Sequence, residues 1–287
     1  MSHTSSLPKY RSRFAVVLIA SFFCGLTALK AQHVHPNAGA TSTTQDAQLY
    51  FVNGTAYDTN SGYNVYLSFA NSGSFSNLYQ GAGMSFTALP STLNNGGPAP
   101  GHAADGAFLQ LQFVSMTGPP GGEFGIWMQE AGNPSISFPL FTLPVGTTNG
   151  TNLIALSESD SSAGSDPYGH IHGRTFTATL PGLYTLGCRL IDTSNNGSNG
   201  GPIHAPSDLY YFYFQAGLTI SSWEKASDSF SVTFGTAAGQ TYFIESTPDL
   251  GAPNWTTFDG PLTGDNHLFT AATNSTAPQL FFRLRSN

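Results

Sequence analysis

The sequence predicts an all-β protein: an antiparallel β-sandwich of Ig-like or jelly-roll-like type, followed by a small C-terminal β-sandwich module. Three observations lead there. After the first thirty or so residues no helical period is visible; short runs of alternating apolar and polar residues recur instead, as half-buried strands require. The 32 glycines and 18 prolines, with Asn and Ser, cluster between those runs and supply turns. Aromatic residues make 13% of the chain while charged ones make only 9%, against roughly 25% charged in an ordinary globular protein. The chain therefore has ample core-forming side chains and solvates itself with hydroxyls and amides, which excludes a disordered polymer. At 287 residues it has room for one large or two modest domains.

The N-terminus reads as a signal peptide over residues 1–31. Lys9, Arg11 and Arg13 form a basic region, Phe14 to Leu29 an apolar one, and Leu29-Lys30-Ala31 an acceptable cleavage site. The apolar run is short for a bilayer span, which needs about 20 residues, and no second run of spanning length follows. Cys24 is preceded by Phe22-Phe23 rather than by the small residues of a lipoprotein signal. The expectation is an extracytoplasmic protein: secreted, periplasmic or on the cell surface. Cleavage would remove four of the nine basic residues and none of the sixteen acids, leaving 5 − 16 = −11. Such a surface repels phosphate backbones and anionic lipid head groups, so no nucleic-acid partner is expected. Cys188 would be the one remaining cysteine, which excludes an intramolecular disulfide despite an oxidising destination.

Along the main domain, residues 32–216, strands are expected at Gln48 to Val52, Tyr63 to Phe69, Phe108 to Met116, Glu123 to Gln129, Arg174 to Leu180, Leu183 to Asp192 and Leu209 to Gln215. Phe108 to Val114 alternates cleanly, one face for a core and one for water. Leu180-Pro181-Gly182-Leu183 reads as a tight turn closing a hairpin, Pro fixing φ and Gly accepting a positive φ. The aromatic run from Leu209 to Phe214 is expected to be a central strand covered on both faces. A boundary falls near Ala216-Gly217. Beyond it, over residues 217–287, Phe230 to Phe234, Gln240 to Ser246, Trp255 to Phe258, His267 to Ala271 and Gln279 to Leu284 form a second series of strands. The run Thr241 to Ser246, then Pro248-Asp249-Leu250, Asn254-Trp255 and a closing Phe281-Phe282-Arg283-Leu284, resembles the β-sandwich modules at the C-termini of secreted proteins of Verrucomicrobia-type bacteria. That resemblance implies an accessory module for sorting, anchoring or binding.

Chemistry is concentrated in the histidines. His33-Val34-His35 opens the expected mature chain, His170-Ile171-His172 precedes a strand, and His204 stands between Pro202 and Pro206. In an extended segment residues i and i+2 point to the same side, so each His-x-His pair presents two imidazoles together. Two imidazoles are half of a tetrahedral zinc site, and neutral imidazole also suits copper. A return of the chain after the Gly-rich turn at Asn195 to Gly201 is expected to bring His204 back to the Gly169 to His172 corner. The candidate ligands are thus His33, His35, His170, His172 and His204, with Asp166, Asp192 and Asp208 as carboxylates around them. His102 and His267 read as surface or turn residues.

The segment from Asp166 to Leu186, with Gly169-His170-Ile171-His172, Phe176 and Pro181-Gly182-Leu183-Tyr184, resembles bacterial surface-anchored proteins of the choice-of-anchor M type. The likeness extends back through Phe108 to Gln129 and to His33-Val34-His35. It departs from the family at Arg174-Thr175-Phe176, where Trp-x-Phe is usual. The resemblance implies a β-rich extracytoplasmic protein linked to metal-uptake systems, and it supports His33, His170 and His172 as ligands; His204 rests on spacing alone.

Two other function classes compete. A surface adhesin with no metal site would use exposed Tyr and Trp to hold a glycan or a protein partner. A copper-dependent oxidative enzyme would need His33 as the N-terminal residue of a histidine brace, which requires cleavage after Gln32 with Lys30 where signal peptidase prefers a small residue. Hydrolase chemistry lacks a signature: there is no Gly-x-Ser-x-Gly elbow, Cys188 lies in a strand pattern that suggests a buried thiol, and Glu158 and Asp160 read as solvated loop carboxylates. N-terminal sequencing of the secreted protein is expected to start at Gln32. A start at His33 would revive the brace and displace the zinc reading.

Overall fold

The computed structural model describes residues 33–93, 95–128, 139–171, 174–274 and 279–287. Among them are β1 (Asn37–Ala40), β2 (Leu49–Phe51), β3 (Asn64–Phe69), β4 (Tyr79–Gly81), β5 (Phe86–Ala88), β6 (Leu109–Thr117), β7 (Glu123–Met128), β8 (Phe141–Pro144) and β9 (Asn152–Ala155). Then follow β10 (Gly169–Ile171), β11 (Arg174–Ala178), β12 (Gly182–Asp192), β13 (Tyr210–Ala216), β14 (Ser222–Ala226), β15 (Ser229–Gly235), β16 (Thr241–Thr247), β17 (Thr256–Thr263), β18 (Leu268–Asn274) and β19 (Phe281–Ser286). Helix is confined to two single turns, Gly54–Ala56 and Thr59–Ser61, so no helix among the described residues is long and apolar enough to cross a membrane. The expected all-β class is the observed one.

The main domain is built on one nine-stranded sheet of order β8-β7-β11-β4-β3-β13-β12-β6-β9. It folds over at β3, which pairs with β13 through Asn64 to Leu67 and with β4 only at Ser68 and Phe69. Its two halves then face each other: Phe124 of β7 and Phe176 of β11 each sit 4.8 Å, ring to ring, from Phe214 of β13. The turn after β8 bonds back to β6 through Gly146 N–H to Met116 O and Met116 N–H to Thr147 O, nearly closing the wrap. A second sheet, β10-β5-β1-β2, covers one end, with Phe51 and Phe86 against Phe212.

Strand β6 shows why the pattern was readable: Leu109, Leu111 and Phe113 are fully buried while the residues between them are not. Two expectations need correction. Pro181-Gly182 does not close a hairpin, because β11 lies between β7 and β4 whereas β12 lies between β13 and β6. The turn is an arch between the two facing halves. Tyr184 fixes it, its hydroxyl donating to Leu180 O at 3.0 Å and accepting from Leu180 N–H at 3.2 Å, the arrangement of a tyrosine corner. Nor is β13 covered on both faces. Phe212 and Phe214 are buried, but Tyr211 is 40% exposed, its hydroxyl keeping that face compatible with water.

Seven strands escaped the sequence pattern: β1, β4, β5, β8, β9, β10 and β14. Six of them have only three or four residues, as in Asn37–Ala40 or Gly169–Ile171, and the seventh, β14, is exposed along its whole length. The hydrophobic core of the main domain ends at Ala216, and a separate small core begins beyond it around Val232, Phe234, Tyr242, Ile244 and Ala271. That second core is enclosed by the three-stranded sheets β14-β15-β18 and β17-β16-β19. Hydrogen bonds join the two parts, including Asn64 N–H to Asn266 O and Leu268 N–H to Gly62 O, and the described residues form one compact unit. Phe214→Ala should cost about 3–5 kcal/mol in urea unfolding, as large-to-small changes at fully packed aromatics do. Trp223→Ala, at a ring 65% exposed, should stay within about 0.5 kcal/mol of wild type.

Candidate functional site

The residues from His33 to Pro36 run beside the segment leading into β5. Val34 N–H donates to Gly83 O, Ser85 N–H to Val34 O, and Thr87 N–H to Pro36 O. On the other side of β5, β10 pairs antiparallel with His170 opposite Thr87. Alternation then places His33 and His35 on one side of their segment, and pairing places Thr87 and His170 on the matching side. The Asn53 side chain holds the first of these segments, accepting from Asn37 N–H at 2.8 Å and donating to His35 O at 2.9 Å. Gly169 holds the second: a Cβ there would lie 1.7 Å from Leu156 O, so only glycine allows β10 this close to the chain after β9.

The result is a row of three rings. His33 and His35 meet edge to face with centroids 4.6 Å apart, and His35 and His170 do the same at 4.5 Å. His170 Nε2 lies 3.1 Å from His35 Nδ1 and 3.5 Å from His35 Nε2. Thr87 Oγ1 lies 3.1 Å from His35 Nδ1. Glu158 Oε1 accepts the His170 backbone N–H at 2.8 Å. All three imidazoles are half-buried. Two nitrogens bound to one zinc at ~2.1 Å in tetrahedral geometry are roughly 3.4 Å apart, so the His35–His170 spacing fits a shared ion. His33 adds a ring to the row but not a third converging nitrogen: among the described residues no three His, Cys, Asp or Glu side chains converge as a metal-holding group. His172 lies outside the described residues.

His204 is placed elsewhere, and the physical reason is a buried hydrogen-bond pair. The ring is 2% exposed, its Nε2 accepts Ala104 N–H at 2.9 Å, and its Nδ1–H donates to Ala47 O at 3.1 Å. Both ring nitrogens are thus engaged, leaving no lone pair for a metal. Ala47 lies just before β2, beyond the C-terminal end of β1, whereas His35 precedes the start of β1. Burial keeps this imidazole below its ordinary pKa, with the Ala47 bond and Asp192 pulling the other way.

Two of the three aspartates serve the backbone. Asp192 Oδ1 accepts from Phe108 and Ser194 N–H and Oδ2 from Ile203 and His204 N–H, at 2.8–3.1 Å. Asp166 accepts from Ser91, Thr92 and Tyr168 N–H. Asp208 accepts from the Gln48 side chain at 3.3 Å. Residues that sequence reasoning did not assign to the cluster are Thr87, Asn53 and Glu158; Glu158 is exposed, as expected of a loop carboxylate, yet it is bonded to His170. Its signal was its position twelve residues before His170. Cys188 is fully buried, its thiol pushed up by desolvation. The chain matches no family model, and no curated protein or solved structure matches it significantly.

His204→Ala should leave Ala104 N–H unpaired and lower stability by about 2–3 kcal/mol at pH 7.5. The folded-state pKa is depressed, so the wild-type contribution is present above the unfolded value of about 6.5 and is lost as pH falls through the lowered folded value. Urea melts should show wild-type stability declining over that window, and a flatter profile in His204→Ala.

Proposed function

We propose that the protein works outside the cytoplasm and binds a transition metal, zinc before copper, in metal acquisition or handling. The proposed ligands are His35 and His170, with His33 beside them and His172 as the further ligand that His-x-His spacing supplies. One observation carries the reading: two histidines 135 residues apart in sequence meet nitrogen to nitrogen, at 3.1 Å and 3.5 Å, across neighbouring segments of one sheet. Imidazole-only sets suit zinc and copper and disfavour calcium and magnesium, which take oxygen ligands. The sequence resemblance to surface-anchored proteins linked with metal uptake supports the same reading, and the paucity of other basic groups removes solubility as a reason for the cluster.

When bound, such an ion would be held by neutral imidazole lone pairs, with the Thr87 hydroxyl orienting the His35 ring through Nδ1, Asn53 clamping the His35 backbone and Glu158 the His170 backbone. Metal analysis of the purified secreted chain should find about one zinc per molecule, the expectation for a single site. His35→Ala/His170→Ala should lose it, while His204→Ala should retain it if refolded at neutral pH. A wild-type chain that is metal-free and does not compete with a chromophoric chelator for zinc would overturn the assignment.

A further inference from the structure

An open cleft lies where the main domain meets the C-terminal module. Strands β3 and β4 part beyond Gln80, since their pairing stops at Ser68 and Phe69. The gap is walled on the far side by the module's Ala237, Ala238 and Asn266, leaving an open cleft of about 400 Å³. That volume falls inside the roughly 300–1,000 Å³ of small-molecule sites, which favour domain junctions. Across the cleft the chain is rigidly tied: Asn64 N–H donates to Asn266 O at 2.7 Å, and the Asn64 amide to Thr236 O.

The chemistry of its lining is uniform. Tyr66, Ser68 and Asn266 supply hydroxyls and an amide, the Tyr63 hydroxyl being turned to Gly83 O, and no charged side chain is among the described residues that line it. The Tyr66 and Ser68 hydroxyls make no hydrogen bond to the described residues, and Asn266 Oδ1 accepts Ala238 N–H at 2.8 Å, so the amide's remaining donors are what it could offer a guest. Tyr63 is pinned by its neighbours, edge to face with Tyr57 at 5.3 Å and with His267 at 5.7 Å. Tyr66 keeps its proton, burial and the neighbouring Tyr242 and Tyr79 pushing it up to about 12.

From this lining we infer that the cleft binds a neutral carbohydrate. A sugar offers hydroxyls that pair with Tyr, Ser and Asn groups and apolar C–H faces that pack on tyrosine rings. The alternatives fit less well. With no cationic group in the lining, an anionic ligand would enter a strongly acidic protein uncompensated. With no His, Cys or carboxylate in its lining, the cleft offers a transition metal none of its usual ligands. An aliphatic ligand would leave the hydroxyls desolvated and unpaired. The site is independent of the histidine cluster, and its failure would leave the metal reading untouched.

The test uses the full secreted chain and a panel of cellobiose, maltose, lactose and chitobiose, with a galacturonic acid dimer as the anionic control, read by saturation-transfer NMR and calorimetry. At least one neutral disaccharide should bind, and the acidic dimer should not. Tyr66→Ala and Asn266→Ala should each weaken binding about tenfold, which is ~1.4 kcal/mol, without changing zinc content. Tyr66→Phe, which keeps the ring and the fold, should weaken it less. If no neutral sugar binds, or if binding survives both substitutions unchanged, the assignment is wrong.

Discussion

The main domain has almost no cations with which to pair its carboxylates, and the fold is organised around that shortage. Over residues 32–216 the basic side chains are Arg174 and Arg189 alone. Arg189 bonds Gln112, and Arg174 is buried with its Nε unpartnered among the described residues. The Arg283–Glu245 and Arg285–Glu245 ion pairs lie in the C-terminal module. A carboxylate without a cation still needs donors, and here it takes them from the backbone: Asp58 from Asn60 and Ser61, Asp166 from three amides, Asp192 from four, Glu158 from His170. Bonds from N–H to an ionised carboxylate are among the stronger ones, about 1.5–3 kcal/mol each. They let a chain rich in Gly, Ser and Asn hold long loops without disulfides.

This device also sets the histidine row. Asp166 ties the residues just after β5, Ser91 and Thr92, to Tyr168 just before β10. Those are the two strands that carry Thr87 and His170. Glu158 then fixes the His170 backbone from a third segment. Asp192 does the same for the loop of His204, and so places that ring where Ala47 and Ala104 use both its nitrogens. One kind of bond thus brings two histidine segments together and commits a third to the core.

That division explains what the sequence disclosed. Long strands were legible because their apolar residues alternate, as in Leu109 to Phe113. The His-x-His motifs were legible because their spacing is local. The role of Asp192 was not, because its partners lie between two and 84 residues away and are backbone amides that any residue type could supply. His204 next to prolines looks the same in sequence whether it ligates a metal or caps two loops; only the burial of both nitrogens separates the two. The arch at Pro181-Gly182 was misread for a related reason. A Pro-Gly turn specifies the local reversal, while Tyr184, four residues from its partner Leu180, directs the chain across the sandwich.

The module meets the same constraint with the opposite solution. It holds Lys225, Arg283 and Arg285, three of the five basic residues beyond residue 31. Arg283 and Arg285 both bond Glu245, whose carboxyl they hold below its usual range, and they stack on Trp255 and Phe243. With its cations drawn off to the module and its carboxylates engaged by amides, the main domain is left with imidazoles as its accessible nitrogen bases. A cation seated between His35 and His170 would meet neutral imidazole donors, with the Glu158 carboxylate on the His170 backbone N–H behind them. Such a site would select by ligand softness, which favours zinc or copper over hard cations.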